Sequence, residues 1–123
     1  MLIARLTAGE QIPRWVISVP AGGTKRSAAF NLMSNYLSCM VKAPATISMY
    51  LAHGRKQQDV DGTDAAAGFL WGTEAVIIGS SSNTTEGGQP VQFQIMGGSN
   101  RGQLVLTNNG GAPVQVTVDL MVW

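Results

Sequence analysis

The chain has 123 residues, enough for one domain with a core of its own. Charged residues make up 12% of it, against a usual share of roughly 25%, and the net charge is +1. So weak a field argues against electrostatic capture of nucleic acid or of an anionic membrane, while a hydrophobic content of 45% argues against disorder throughout.

The opening MLIARLTAGEQ carries an apolar run too short for a signal peptide, and no stretch approaches the length of a bilayer span. The sequence therefore predicts a chain made and used outside the secretory route, folded as a single domain over 1–123. Short runs of strand character then recur between turn clusters. LIARL and RWVISVP end at Pro20-Ala21-Gly22-Gly23; SAAFNLMS, YLSCMVKA and TISMYLA follow, punctuated by Ser34-Asn35 and by Pro44. In DVDGTDAAAGFLWGTE, Thr63 or Asp64 can cap a short helix near 64–71, or the segment forms an irregular loop packed by Phe69, Leu70 and Trp71. EAVIIG precedes a polar loop, SSSNTTEGGQ, and PVQFQIM, GQLVLTN and PVQVTVDLMVW complete the chain.

The alternation has period two, and the runs recur about every ten residues. Eight or nine such runs predict an all-β fold, an antiparallel β-sandwich or jelly roll, with a small barrel as the other solution. Asn108-Asn109-Gly110-Gly111 offers the residues that tight hairpins use. It predicts that the last strand pairs with QLVLT.

No reaction centre emerges. His53 is the lone histidine and is expected at a strand end or in a loop. Cys39 stands among Leu37, Met40 and Val41 and is expected to be a buried, inert thiol; as the only cysteine it can form no intrachain disulfide. Asp59, Asp61 and Asp64 fail the spacing of a calcium loop, because Gly62 is fourth and Leu70 twelfth, and they suit Asx turns. Lys25-Arg26 and Arg55-Lys56 are short basic doublets expected at solvated loop tips or in salt contacts with an acidic neighbouring subunit. The paired glycines match no phosphate loop. Trp15, Trp71 and Trp123 with Tyr36 and Tyr50 are too scattered to predict a sugar platform over core packing. The expectation is a protein without catalytic residues, cofactor or metal.

In the terminal strand, Val114, Val116, Val118, Leu120 and Val122 fall on one face. Gln115, Thr117 and Asp119 fall on the other, which then turns apolar at Met121 and Trp123. Those two side chains are surplus to a core that the first row already fills, and they are the candidate interface with a neighbouring chain.

LVLTNNGGAPVQVTVDLMVW, the AGGTKRS and SSSNTTEGGQP loops and the low charge resemble small β-sandwich virion proteins of tailed bacteriophages. The similarity is to capsid decoration (cement) proteins and to head-fibre or tail accessory subunits. It implies a structural subunit of the virion, assembled in the host cytoplasm. It also implies a dimer or trimer that binds the major capsid protein or other virion subunits and stabilises the shell, without nucleic-acid or membrane partners. A carbohydrate- or receptor-binding sandwich module is the alternative expectation.

Overall fold

A computed structural model describes residues 14–32, 34–54, 71–96, 99 and 101–120. These residues form the strands β1 (Arg14–Val19), β2 (Thr24–Arg26), β3 (Phe30–Asn31), β4 (Tyr36–Lys42) and β5 (Ile47–Gly54). Then come β6 (Trp71–Gly72), β7 (Val76–Ile78), β8 (Gln89–Gln94), β9 (Arg101–Thr107) and β10 (Val114–Leu120). One sheet has the order β1-β10-β4-β8. The other has β9 and β5 at its centre, with β2 and β3 along the free side of β9 and β6 and β7 along the free side of β5. All the pairings are antiparallel, and the fold is an all-β sandwich.

The sandwich closes because each long strand turns one apolar row inward. Ile17 and Val19, Leu37, Cys39 and Val41, and Val91 and Phe93 meet Val114, Val116, Val118 and Leu120 in one sheet. Phe30, Ile47, Met49, Leu51, Ile78, Leu104 and Leu106 face them from the other. Trp15 packs at the margin, its ring tilted against Phe30 with centroids 5.3 Å apart. Each such Leu, Val or Phe contributes about 1.5–3 kcal/mol by leaving water, and this shared core holds two sheets that exchange no strand.

The last strand does not pair with QLVLT. β10 lies between β1 and β4, while β9 belongs to the opposite sheet. Both edges of β9 are already taken, by β2 and β3 on one side and β5 on the other. Residues 108–113 therefore cross from sheet to sheet. Asn108, fully buried, organises the crossing: its Nδ2 donates to the carbonyls of Val19 (3.3 Å) and Ala112 (2.8 Å), and its Oδ1 accepts from the Gly110 amide (2.9 Å). Among the described residues only Gly22, Gly87 and Gly88 have positive φ, so the Asn-Gly stretch is an arch held by a side chain and no primed turn.

Other expectations also shift. Lys25 and Arg26 lie in β2, paired with Leu106 and Val105 of β9, and not at a loop tip. The polar loop before β8 contains a 3-10 turn, Ser80–Asn83, anchored where the Ala43 amide donates to the buried Ser82 hydroxyl (3.0 Å). It ends at Gly88, whose φ is +88° and whose absent Cβ would stand 2.6 Å from the Val41 carbonyl oxygen. Of the segment expected near 64–71, Trp71 is in a strand and the rest lies outside the described residues, as do LIARL, Asp59, Asp61, Asp64, Arg55-Lys56, Met121, Val122 and Trp123.

Candidate functional site

Among the described residues β8 is an edge strand: β4 pairs with it on one side only. The Ile95 amide donates to the Asn35 carbonyl at 2.7 Å. In an antiparallel ladder the backbone groups of alternate residues point the same way, so those of Phe93 and Val91 also face β4. Those of Pro90, Gln92 and Gln94 then face the free edge. Proline, which has no N–H to give, is suited to such a position.

Across from this edge run β6, the Thr73–Ala75 connection and β7, the margin of the other sheet. At one end a single side chain joins the two margins. Gln89 Oε1 accepts from the Gly79 amide (3.0 Å), and its Nε2 donates to the Ile77 carbonyl (2.8 Å), so the carboxamide stands in for a peptide group. Further along, the margins part into a cleft. An open cavity of about 470 Å³ is lined by His53, Trp71, Gly72, Thr73, Gln94, Ile95 and Met96. A second, of about 370 Å³, adjoins it through Thr73 and Gln94 and extends past Glu74, Val76 and Gln92.

His53 forms the inner wall. It is not a loop residue: it lies in β5, opposite Gly102 on one side and Trp71 on the other, and is only 3% exposed. Its Nδ1 is 2.9 Å from Ser99 Oγ, and its ring stands 6.1 Å from the ring of Trp71, a residue about one-third exposed. Burial lowers its pKa from the ordinary value of 6.5, so the imidazole is neutral at pH 7. Thr73 is fixed twice to Leu51: its amide donates to the Leu51 carbonyl, and its Oγ1 accepts from the Leu51 amide, both at 2.9 Å. The Thr73 hydroxyl hydrogen is left over to point elsewhere.

The other candidates stay apart. Cys39 is buried in the core, and burial pushes its thiol up to about 12, far from a reactive thiolate. Among the described residues no three His, Cys, Asp or Glu side chains gather as metal ligands. Trp15 and Trp71 belong to separate ring contacts, and the exposed Tyr36 lies on the outer face of β4. The candidate interface residues Met121 and Trp123 lie outside the described residues. Among the described residues Val16, Ile77 and Met96 are the aliphatic side chains that stand out in water, at 55%, 60% and 52% exposure.

Sequence reasoning missed the cleft, because its walls come from residues 53, 71–76 and 92–96 and meet only through sheet pairing. The local signal was the aromatic-turn-polar run WGTE, which reads equally well as a loop.

No protein-family model matches the chain, and no curated protein matches it significantly. Among solved structures the fold is similar to that of the crystal structure of PirA, with a TM-score of 0.56 over 94% of this chain and 100% of that one. The identity is 9%, so the likeness is one of fold alone.

Proposed function

We propose that the chain is a non-catalytic structural subunit that works by contact with other protein chains, as capsid decoration proteins do. One observation carries this reading. Val16 and Ile77, the most exposed large apolar side chains among the described residues, stand on the outer faces of β1 and β7, strands at the margins of the two sheets. Uncharged polar groups such as Ser18, Ser48, Gln115 and Thr117 lie near them in the strand register. The charges nearest Val16 are Lys42, opposite Thr117, and the mutually paired Arg14 and Asp119; the apolar members of these faces supply contact energy at about 25 cal/mol per Å² buried. Many copies on a symmetric shell turn weak contacts into strong attachment. The resemblance to phage decoration proteins supplies the setting: the virion, with the major capsid protein or another virion subunit as partner, and self-association as a dimer or trimer.

Light scattering on the purified chain and rebinding to a stripped phage shell test the reading. Val16→Ser with Ile77→Ser, and separately Met121→Ser with Trp123→Ser, should weaken assembly by an order of magnitude while the melting temperature holds. A chain that stays monomeric and fails to rebind any shell overturns it.

A further inference from the structure

We propose that the cleft between β8 and the β6–β7 margin is a binding site for a neutral saccharide, its pyranose face stacked on Trp71. This goes beyond the assembly reading, which uses the outer faces of β1 and β7.

The platform is rigid. Trp71 is 36% exposed and held in register opposite His53, its ring tilted 35° at 6.1 Å from the imidazole, which Ser99 contacts at Nδ1 at 2.9 Å. An indole with one face open to a cavity and the other against protein offers apolar area at little further entropic cost. The cavity of about 470 Å³ lies within the range of small-molecule sites, roughly 300–1,000 Å³. Around the indole stand groups that pair with hydroxyls: the Thr73 Oγ1 hydrogen, and the Gln94 and Gln92 amide and carbonyl groups at the free edge. Ile95 and Met96 supply the apolar remainder of the wall.

Charge selects the class. Among the described cleft residues Glu74 is the sole carboxylate, no Lys or Arg is present, and His53 is neutral. Phosphate, sulfate and acidic sugars find no cation among these described residues. The same edges disfavour an added peptide strand. Strand addition needs a run of free donors and acceptors, but Gln89 already occupies the Ile77 carbonyl and the Gly79 amide, and Pro90 removes a donor from β8. Two facing residues, Gln92 and Gln94, remain, which suits a ring bearing several hydroxyls better than an extended chain. The adjoining cavity past Glu74 gives room for a second sugar unit.

The test uses the full chain and a panel of methyl pyranosides (glucoside, galactoside, mannoside and the two N-acetylhexosaminides), with saturation-transfer NMR to detect binding and calorimetry to measure it. At least one should bind with millimolar or better affinity. Trp71→Ala should weaken it tenfold or more, and Trp71→Phe, which keeps a ring, should weaken it less. If Trp71→Ala does not fold, Gln94→Lys at the exposed junction of the two cavities should give the same tenfold loss in a folded chain. Val16→Ser should leave saccharide affinity as it is, which separates failure here from failure of the assembly reading. Silence across the panel at tens of millimolar, undiminished binding in folded Trp71→Ala or Gln94→Lys, or tetramethylammonium binding in place of sugar overturns the proposal.

Discussion

β9 and β10 follow one another in the chain, are of equal length and each lie between two other strands, yet they are built differently on their outer faces. β10 alternates cleanly: Val114, Val116, Val118 and Leu120 are buried, and Gln115, Thr117 and Asp119 reach outward. There Asp119 meets Arg14 of β1 through a two-pronged contact, with 2.6 Å and 3.0 Å bonds, in the open. In β9 the central outward residues, Gln103 and Val105, are buried as well. Val105 is 1% exposed between Arg26 and Tyr50 in the register, and Gln103 has both ends of its amide engaged: Oε1 accepts from Arg26 (3.1 Å) and Nε2 donates to the Ser27 carbonyl (2.8 Å). One sheet therefore has an inside and an outside. The other has two insides at its centre, the second one small and partly polar.

The inner faces should respond alike. Leu104→Ala in β9 and Leu120→Ala in β10 each remove a fully packed side chain and should each cost about 2–5 kcal/mol in denaturant unfolding. A loss confined to one strand would break the symmetry of the core. The outer faces should not respond alike. Val105→Asn puts an amide where water does not reach and should cost about 1–3 kcal/mol; Thr117→Asn, on the outer face of β10, should stay within about 0.5 kcal/mol. Equal effects would mean that the outer face of β9 is as wet as that of β10.

The difference shows what a sequence can and cannot say. The alternation of VQVTVDL reports its burial faithfully, because water and core lie on opposite sides of the pleat. QLVLT keeps polar residues only at the ends of its outward row, with the apolar Val105 between them, and Gln103 is buried there because an amide with partners at both ends is tolerated where an unpaired one is not. The all-β sandwich was legible for this reason, and the pairing of β10 was not. Asn108 to Gly111 has hairpin chemistry, but turn residues cannot know that both flanks of β9 are occupied. His53 and Trp71 failed in the same way: YLAHG reads as a strand running out into a loop, but pairing with Gly102 of β9 on one side and Trp71 on the other carries the strand through His53 and closes the cleft wall.

Smaller perturbations sharpen the contrast at the crossing and at the end of β9. Asn108→Ala leaves the Val19 and Ala112 carbonyls without their side-chain donor and should cost about 1–2 kcal/mol, loosening the arch between the strands while both sheets persist. The smallest effect is one of pH. His53, opposite Gly102 of β9, has its folded pKa depressed by burial, so the unfolded chain binds more protons as the solution is acidified. Its contribution is complete above the unfolded value of about 6.5 and is lost as pH falls through the lower folded value. Melting temperature measured downward from pH 7 should decline, and His53→Gln should flatten that decline; an unchanged slope would assign it to other groups.

The Gln89 carboxamide has a bearing on how the protein behaves at high concentration, apart from anything it binds. Open sheet margins invite copies of a protein to stack edge to edge into ever-growing ribbons. By engaging the Ile77 carbonyl and the Gly79 amide within its own molecule, Gln89 withdraws that margin from the traffic, and Pro90 beside it blunts the facing one. This side is thus a poor template for edge-to-edge growth, with Gln92 and Gln94 the β8 residues past Pro90 whose backbone groups stay open among the described residues.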